Sequence, residues 1–476
     1  LTGWGNTFTI EGGLFRGIVR RTLTSISRLP DRKDDAGIAG GVHHTPCGVP
    51  GPGGRSEERG VDSDTDTALT ALLKISSREK KRRGLQYTPD EIHDQVDLWT
   101  DTHRRVAGRL DEIRSFLQPL RAEARSVCML TGAGTSEFIG YCVEGLFRRA
   151  LGLPVNVFST TRIVTHPDDL LVRGLRTLMV SFARSGNSPE SVGAVRIADG
   201  AAPSGSLRHL VVTCNRGGDL YREMESRENG FVLDLHPKTN DRGLAMTASF
   251  SNMVVAAQAV AHAFDFEPTA RWVEELTACG KRLLRSAPDV IEEVCGLDFD
   301  RAVFLGSGSN FGTAVESHLK LQELTAGTVM CTYDTFPGLR HGPEAVIRDR
   351  TLVVAFLSRD PYVRRYEIDL LEEIREKGLG MATLVSCDRA VDAVRGLAQF
   401  FVEYDPESLS DIPDSLTPPV QVIIGQLLGL FRSIRLGFSP DAPSESGVIN
   451  RVVEGVRVYD PRRFRERGSF DIIAER

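Results

Sequence analysis

"RSVCMLTGAGTSEFIGYCVEGLFRRALG", residues 125–152, and "RAVFLGSGSNFGTAVESHLKLQELTAG", residues 301–327, share one layout. Each opens on a basic residue and an apolar run, passes through G-x-G with small polar neighbours, and continues as a helix. A short apolar run ended by glycine and followed by helical periodicity reads as the start of a βα unit. Gly152 stands where a helix-closing glycine belongs. The echo goes on: "TLMVSFARSGNSPESVGAV" (177–195) is matched by "TLVVAFLSRDPYVRRYEIDLLEEI" (351–374). With "PVNVF" and "HLVVT" as further short strands, the chain reads as α/β, with parallel sheets and helices between the strands. The two passages look like an internal duplication of a whole α/β domain, offset by about 175 residues. The echo is incomplete, because "LSRDPYV" has no counterpart of Ser-Gly-Asn-Ser; a phosphate held by the first unit would have lost that part of its site in the second.

Outside these units the chain changes character. Residues 1–75 include "GIAGGVHHTPCGVPGPGGRSEERGVDSDTDT", rich in glycine, proline and charge. Such a segment has little to bury and is expected to be disordered, so its deletion should leave folding and activity intact. The chain starts with leucine, and this part is expected to be an upstream extension of the reading frame rather than a targeting peptide. His43 and His44 are incidental on this reading. A helical segment follows over 76–120, with Thr88 as N-cap and Pro89 as the first helical residue. The first α/β domain is placed at 121–270, a helical connection at 271–298, the second domain at 299–460 and a tail at 461–476.

Composition bounds the function. The net charge of −6 shows no basic excess, which argues against nucleic acid as partner. No apolar run is long enough to cross a membrane. The eight cysteines are scattered, the closest pair being Cys128 and Cys142, so no zinc-type pair is present. Cysteines in apolar runs fit a reducing cytoplasm.

Two loops lie where the carboxyl ends of parallel strands should be, the position at which open α/β sheets bind ligands. They are "GAGTS" (132–136) and "ARSGNS" (183–188). Helix-start amides, rotatable hydroxyls and a close-approaching Gly186 suit the terminal phosphate of a small metabolite. Ordinary caps and turns favour the same residue types, so one such loop would say little; two in adjacent units say more. "GSGSNFG" (306–312) is near a dinucleotide fingerprint, but that motif alone is weak, and no Walker lysine follows either loop.

Chemistry is suggested by "ESHLKLQE", which sets Glu316, Lys320 and Glu323 on one helix face. Eighteen residues past Glu323 comes His341 in "GLRHGPEAV". A glutamate and a histidine suit proton abstraction and ring opening, and Lys320 would hold both carboxylates ionised. The same spacing equally describes a salt-bridged solvent face.

At this point "TGAGTSEFIG", "VSFARSGNSPESV", "LKLQELTAG", "RHGPEAV" and "SGVINRVVEGVRVY" together resemble the sugar isomerase (SIS) family of phosphosugar proteins with two tandem SIS domains. They are most similar to its tagatose-6-phosphate ketose/aldose isomerase branch, which includes galactosamine-6-phosphate deaminases. The resemblance runs from about Tyr87 to Tyr459 and implies two three-layer αβα domains. It implies that Ser185, Gly186 and Ser188, with Arg184 and Asn187 of the same loop, bind phosphate. Thr135 and Ser136 match a second sugar-contacting loop. Glu316, Lys320 and Glu323 match the family's E-x-x-x-K-x-x-E helix, with Glu323 as the base at C1/C2. His341 matches a ring-opening histidine that reaches into a neighbouring subunit, which implies a homodimer or higher homo-oligomer. One departure is Glu454, which stands where glucosamine-6-phosphate synthase has a lysine; this puts a synthase-like reaction in doubt.

The resemblance therefore implies an enzyme that converts a hexosamine 6-phosphate, D-galactosamine 6-phosphate first, to tagatose 6-phosphate with loss of ammonia. Plain aldose–ketose isomerisation and a non-catalytic phosphosugar sensor are the alternatives. No metal or redox cofactor is required, because amides, hydroxyls and Lys320 can meet the developing enediol charge.

Overall fold

The computed structural model describes residues 66–461, apart from 124, 173, 203–204, 445–446 and 453–454. The first half holds β1 (Ser126–Gly132), β2 (Val155–Ser159), β3 (Arg176–Ala183), β4 (Leu207–Thr213) and β5 (Gly230–Asp234). The second holds β6 (Arg301–Gly306), β7 (Met330–Asp334), β8 (Thr351–Phe356), β9 (Ala382–Cys387) and β10 (Phe400–Glu403). Both sheets are parallel, in the orders β2-β1-β3-β4-β5 and β10-β9-β8-β6-β7. These are the same order, counted strand for strand. β6, β8 and β9 each begin 175 residues after β1, β3 and β4. The inner strands are buried on both faces, which is why they read as unbroken apolar runs rather than alternating ones. The fifth strand of each sheet was not legible in the sequence; β10 has only four residues and is only partly buried.

The halves share one core. A single hydrophobic cluster runs from Leu130 and Phe147 of the first half to Phe304 and Leu427 of the second, and each half keeps a smaller cluster of its own. The helices that fill the shared core are apolar all round. Every residue of Ala248–Ala261 is buried, and so is nearly all of Pro418–Arg435. Helix Ser309–Leu324 packs against Pro418–Arg435 and against Thr135–Leu151. The first of these contacts needs a glycine: a Cβ on Gly425 would fall 2.3 Å from Ser317 Oγ.

Two expectations at the N-terminal side are corrected. Residues 66–75 are not part of a disordered extension. Thr67 closes a capping box on helix Ala68–Lys74, Leu69 and Leu72 are buried, and the Ala68 N–H donates to Asp289 Oδ1 at 2.7 Å. Two apolar side chains suffice to join a core that already exists. The boundary at 75 is therefore too late, and residues 1–65, with His43 and His44, lie outside the described residues. Thr88 is not an N-cap either, but the first residue of helix Thr88–Ala107. Its cap comes from far away: Asp441 Oδ1 accepts from the Thr88 N–H at 2.9 Å and from its hydroxyl at 2.8 Å. Among the described residues no helix is long and apolar enough to cross a membrane.

Candidate active site

The two G-x-G loops open the site. Gly134 and Gly308 precede helices Thr135–Leu151 and Ser309–Leu324 with nearly identical backbone angles, φ 54° and ψ −129° against φ 54° and ψ −125°. Only glycine adopts that conformation without strain, so both positions are fixed by backbone geometry. The turn aims Thr135, the first residue of its helix, at the flank of helix Ser309–Leu324.

There it meets the carboxylate face. Glu316 and Lys320 have no exposed surface, and Glu323 is 16% exposed, so the face is not a solvated one. Lys320 Nζ lies 3.1 Å from Glu316 Oε1 and 3.2 Å from Thr135 Oγ1, and it also donates to Glu323 Oε1. The Thr135 hydroxyl in turn donates to Glu316 Oε1 at 3.4 Å. Glu316 Oε2 is buried without a hydrogen-bond partner. Three ionised groups here would leave a net negative charge in a buried place, which is costly. The expectation that Lys320 keeps both glutamates ionised is accordingly corrected at Glu316. Burial pushes its carboxyl up to about 8, against the pull of Lys320 and with a further push from Glu323. Burial pulls the Lys320 ammonium down, but the charges and hydrogen bonds of Glu316 and Glu323 outweigh that and raise it.

The second loop leaves β3. Arg184 is buried, and its guanidinium donates to Leu244 O at 3.0 Å, to Gly243 O at 3.5 Å and to Arg451 O. It braces the loop through these carbonyls. Burial lowers its pKa, while the charges of Asp241 and Glu323 oppose that. Ser185 Oγ accepts from the Asn187 N–H at 3.2 Å, and Ser188 Oγ donates to Glu190 Oε2 at 2.7 Å. Gly186 turns the loop with φ 67°, and Asn187 Oδ1 accepts from the Asp219 N–H at 3.0 Å. Ser136 is buried, with its hydroxyl 3.8 Å from Met246 Sδ.

Thr135, Glu316, Lys320 and Glu323 thus form one connected group, and the loop Ser185–Ser188 is held by separate contacts of its own. His341 joins neither: it is exposed on the loop after β7, its N–H donating to Gly338 O at 3.0 Å. Glu454 lies outside the described residues. A cavity of about 850 Å³ runs between helix Pro189–Ala201 and Val458–Pro461, but of the candidate residues only Asn187 lines it. Glu316, Lys320 and Glu323 do not line that cavity.

Two residues escaped the sequence reading. Asp241 is fully buried and accepts from the N–H groups of Thr247 (2.9 Å), Ala248 (3.0 Å) and Ser249 (2.9 Å), which caps helix Ala248–Ala261. Arg451 returns from beyond the second half and donates to Asp241 O at 2.7 Å and Asn240 Oδ1 at 2.7 Å. Arg451 stood inside a motif carrying the resemblance. Asp241 sits too far ahead of its helix to match a local capping pattern.

Comparison with known proteins agrees with this architecture. No family model matches the chain. A protein of Streptomyces coelicolor that carries the AgaS name is 39% identical over 383 residues, which cover 78% of this chain and 95% of that one. The D-galactosamine-6-phosphate deaminase AgaS of Escherichia coli is 35% identical over 377 residues, covering 78% and 95%. The crystal structure of tagatose-6-phosphate ketose/aldose isomerase from Escherichia coli superimposes with a TM-score of 0.71 at 34% identity, covering 78% of this chain and 96% of that one. At 21% identity and a TM-score of 0.62, the C-terminal domain of glucosamine-fructose-6-phosphate aminotransferase from Francisella tularensis shares the fold. The chain belongs to the AgaS family of two-domain SIS proteins, alongside the galactosamine-6-phosphate deaminases and tagatose-6-phosphate ketose/aldose isomerases.

Proposed function

We propose that this protein is an amino-sugar-phosphate deaminase that converts D-galactosamine 6-phosphate and water to tagatose 6-phosphate and ammonia. The observation that carries the reading is the Glu323 carboxylate, held at one oxygen by a buried ammonium and partly open to solvent. That is a proton-transfer base with a fixed direction. The names of the AgaS relatives supply the substrate class.

The Ser185 and Ser188 hydroxyls and the start of helix Pro189–Ala201 receive the 6-phosphate, with Ser188 turning its hydrogen away from Glu190. The sugar ring opens with help from His341. That side chain is exposed and serves the site of a neighbouring subunit, so the working form is a homo-oligomer. Glu323 takes the C2 proton of the open-chain aldehyde, leaving an enaminol. Returning the proton at C1 gives a ketimine at C2. Water adds to that carbon, the C–N bond breaks, and ammonia leaves with the ketose phosphate. An aldose phosphate with a C2 hydroxyl passes through the same proton transfer and stops at isomerisation. The Escherichia coli isomerase structure favours this as a second reading.

The test is incubation with galactosamine 6-phosphate, glucosamine 6-phosphate and an unaminated aldose 6-phosphate, measuring ammonia and ketose. Ammonia in step with ketose from the galacto sugar is the expected result. Ketose only from an unaminated aldose phosphate would make the protein an isomerase, and no turnover of any of these would leave only phosphosugar binding.

A further inference from the structure

We propose that Thr135 is a positioning residue for Glu323, acting through Lys320: its hydroxyl completes the set of acceptors that locks the ammonium in one orientation. This rests on the reading of Glu323 as the proton-transfer base. It gives Thr135 a task other than touching sugar.

An ammonium has three protons and no acceptor capacity. Lys320 meets three acceptors on three residues: Glu316 Oε1 at 3.1 Å, Thr135 Oγ1 at 3.2 Å, and Glu323 Oε1. Every proton is used, and the side chain has no exposed surface. Lys320 therefore serves as the fixed cation behind Glu323. The Thr135 hydroxyl sends its own hydrogen to Glu316 Oε1 at 3.4 Å, which closes a ring of Lys320, Thr135 and Glu316. Of the ring and its proposed base, Glu323 is the most open to solvent.

Two of these acceptors stand on the helix that carries Lys320. Thr135 alone comes from the first half, set behind Gly134 in a conformation that leaves it little freedom. Without its hydroxyl the ammonium would lose its fixed third point and could swing about the helix flank, taking the Glu323 carboxylate with it. The other titratable and charged groups that act on the ring are Cys142 from helix Thr135–Leu151, His318 from the ring's own helix, and Arg184 from the loop after β3. None of them replaces the hydroxyl as an acceptor for Lys320, since arginine has no acceptor and the Cys142 thiol is buried and protonated.

The test compares wild type with Thr135→Val, which keeps the shape and loses the hydroxyl, and with Thr135→Ser, which restores it. Ammonia release from galactosamine 6-phosphate and substrate-free thermal unfolding are both followed from pH 6 to 9. Thr135→Val is expected to lower kcat by about ten- to a hundredfold, the scale on which small misplacements of catalytic groups act, with KM within about twofold. Its unfolding profile should shift to higher pH, because the hydrogen bond it loses favours the ionised form of Glu316. Thr135→Ser should restore most of the rate and the wild-type profile. Should Thr135→Val fail to fold, Thr135→Ala carries the same comparison. A rise in KM with kcat unchanged would make Thr135 a sugar contact and overturn the proposal. An unfolding profile identical to wild type would overturn it as well. If wild type itself releases no ammonia, the assigned reaction fails, and the substrate-free profiles still decide the ring.

Discussion

The loops that leave β3 and β8 begin alike and end differently. Each carries an arginine engaged within the protein: Arg184 donates to Leu244 O at 3.0 Å, and Arg359 donates to Ser410 O at 2.8 Å and Ser410 Oγ at 2.9 Å, beside the carboxylates of Asp388 and Asp405. After that the first half runs Ser-Gly-Asn-Ser into Pro189, whereas the second goes directly from Asp360 to Pro361. The shorter loop is closed from within. Glu367, fully buried on helix Pro361–Glu376, accepts from the Ser358 N–H at 2.8 Å. Asp414 accepts from the Arg359 N–H at 2.6 Å. In the first half the carboxylate on the loop is Glu190, which is partly exposed and can give way. Donors at a strand end need an acceptor in either case. The second half built one into its own chain, whereas on the proposed function the first leaves its donors to a phosphate.

Three experiments sharpen or break that contrast. The largest effect is expected at Glu323, the proposed base. Glu323→Gln should cut turnover by about 10² to 10⁴ with substrate binding nearly unchanged, because the amide keeps the shape and cannot take the C2 proton. Solvent deuterium should enter the product at C1 with wild type and not with the variant; exchange at near wild-type rate would put the base elsewhere.

A smaller effect, and the direct comparison of the loops, comes from paired serine replacements. Ser185→Ala with Ser188→Ala should raise KM by about tenfold or more and leave kcat within a few-fold, since phosphate is held equally in ground and transition states. Ser307→Ala with Ser358→Ala, at the corresponding loops of the second half, should leave KM within about twofold. Equal effects from the two pairs would mean that both halves bind substrate.

The smallest effect is one of stability. Burial pushes the Glu367 carboxyl up to about 7. The folded state therefore binds this proton more tightly than the unfolded one. The stabilisation is complete below the ordinary carboxyl pKa and is lost as pH rises through about 7. The slope in that window is limited to about 1.4 kcal/mol per pH unit for one proton. Glu367→Gln should flatten the dependence of unfolding free energy on pH between 5 and 7 without altering KM. An unchanged slope would show that Glu367 is not the buried acid that closes the second loop.

Much of this was present in the sequence. The apolar runs and G-x-G turns located the first strands of both sheets, and the helices behind Gly134 and Gly308 followed from them. The offset between the halves, the missing Ser-Gly-Asn-Ser and the identity of the Glu-Lys-Glu helix were equally legible. These are properties of neighbours along the chain, where backbone sterics and a period of two or 3.6 residues leave few alternatives. Tertiary structure alone decided which faces lost their water. The spacing of Glu316, Lys320 and Glu323 fits a solvated helix as well as a buried one. It became a buried group because Thr135, 185 residues before Lys320, came to lie on it. The cap on Thr88 came from Asp441, 353 residues away, and the short helix Ala68–Lys74 found its core against helices Thr88–Ala107 and Thr269–Cys295. Burial and partnership depend on what the rest of the chain brings to a surface, and no local pattern encodes that.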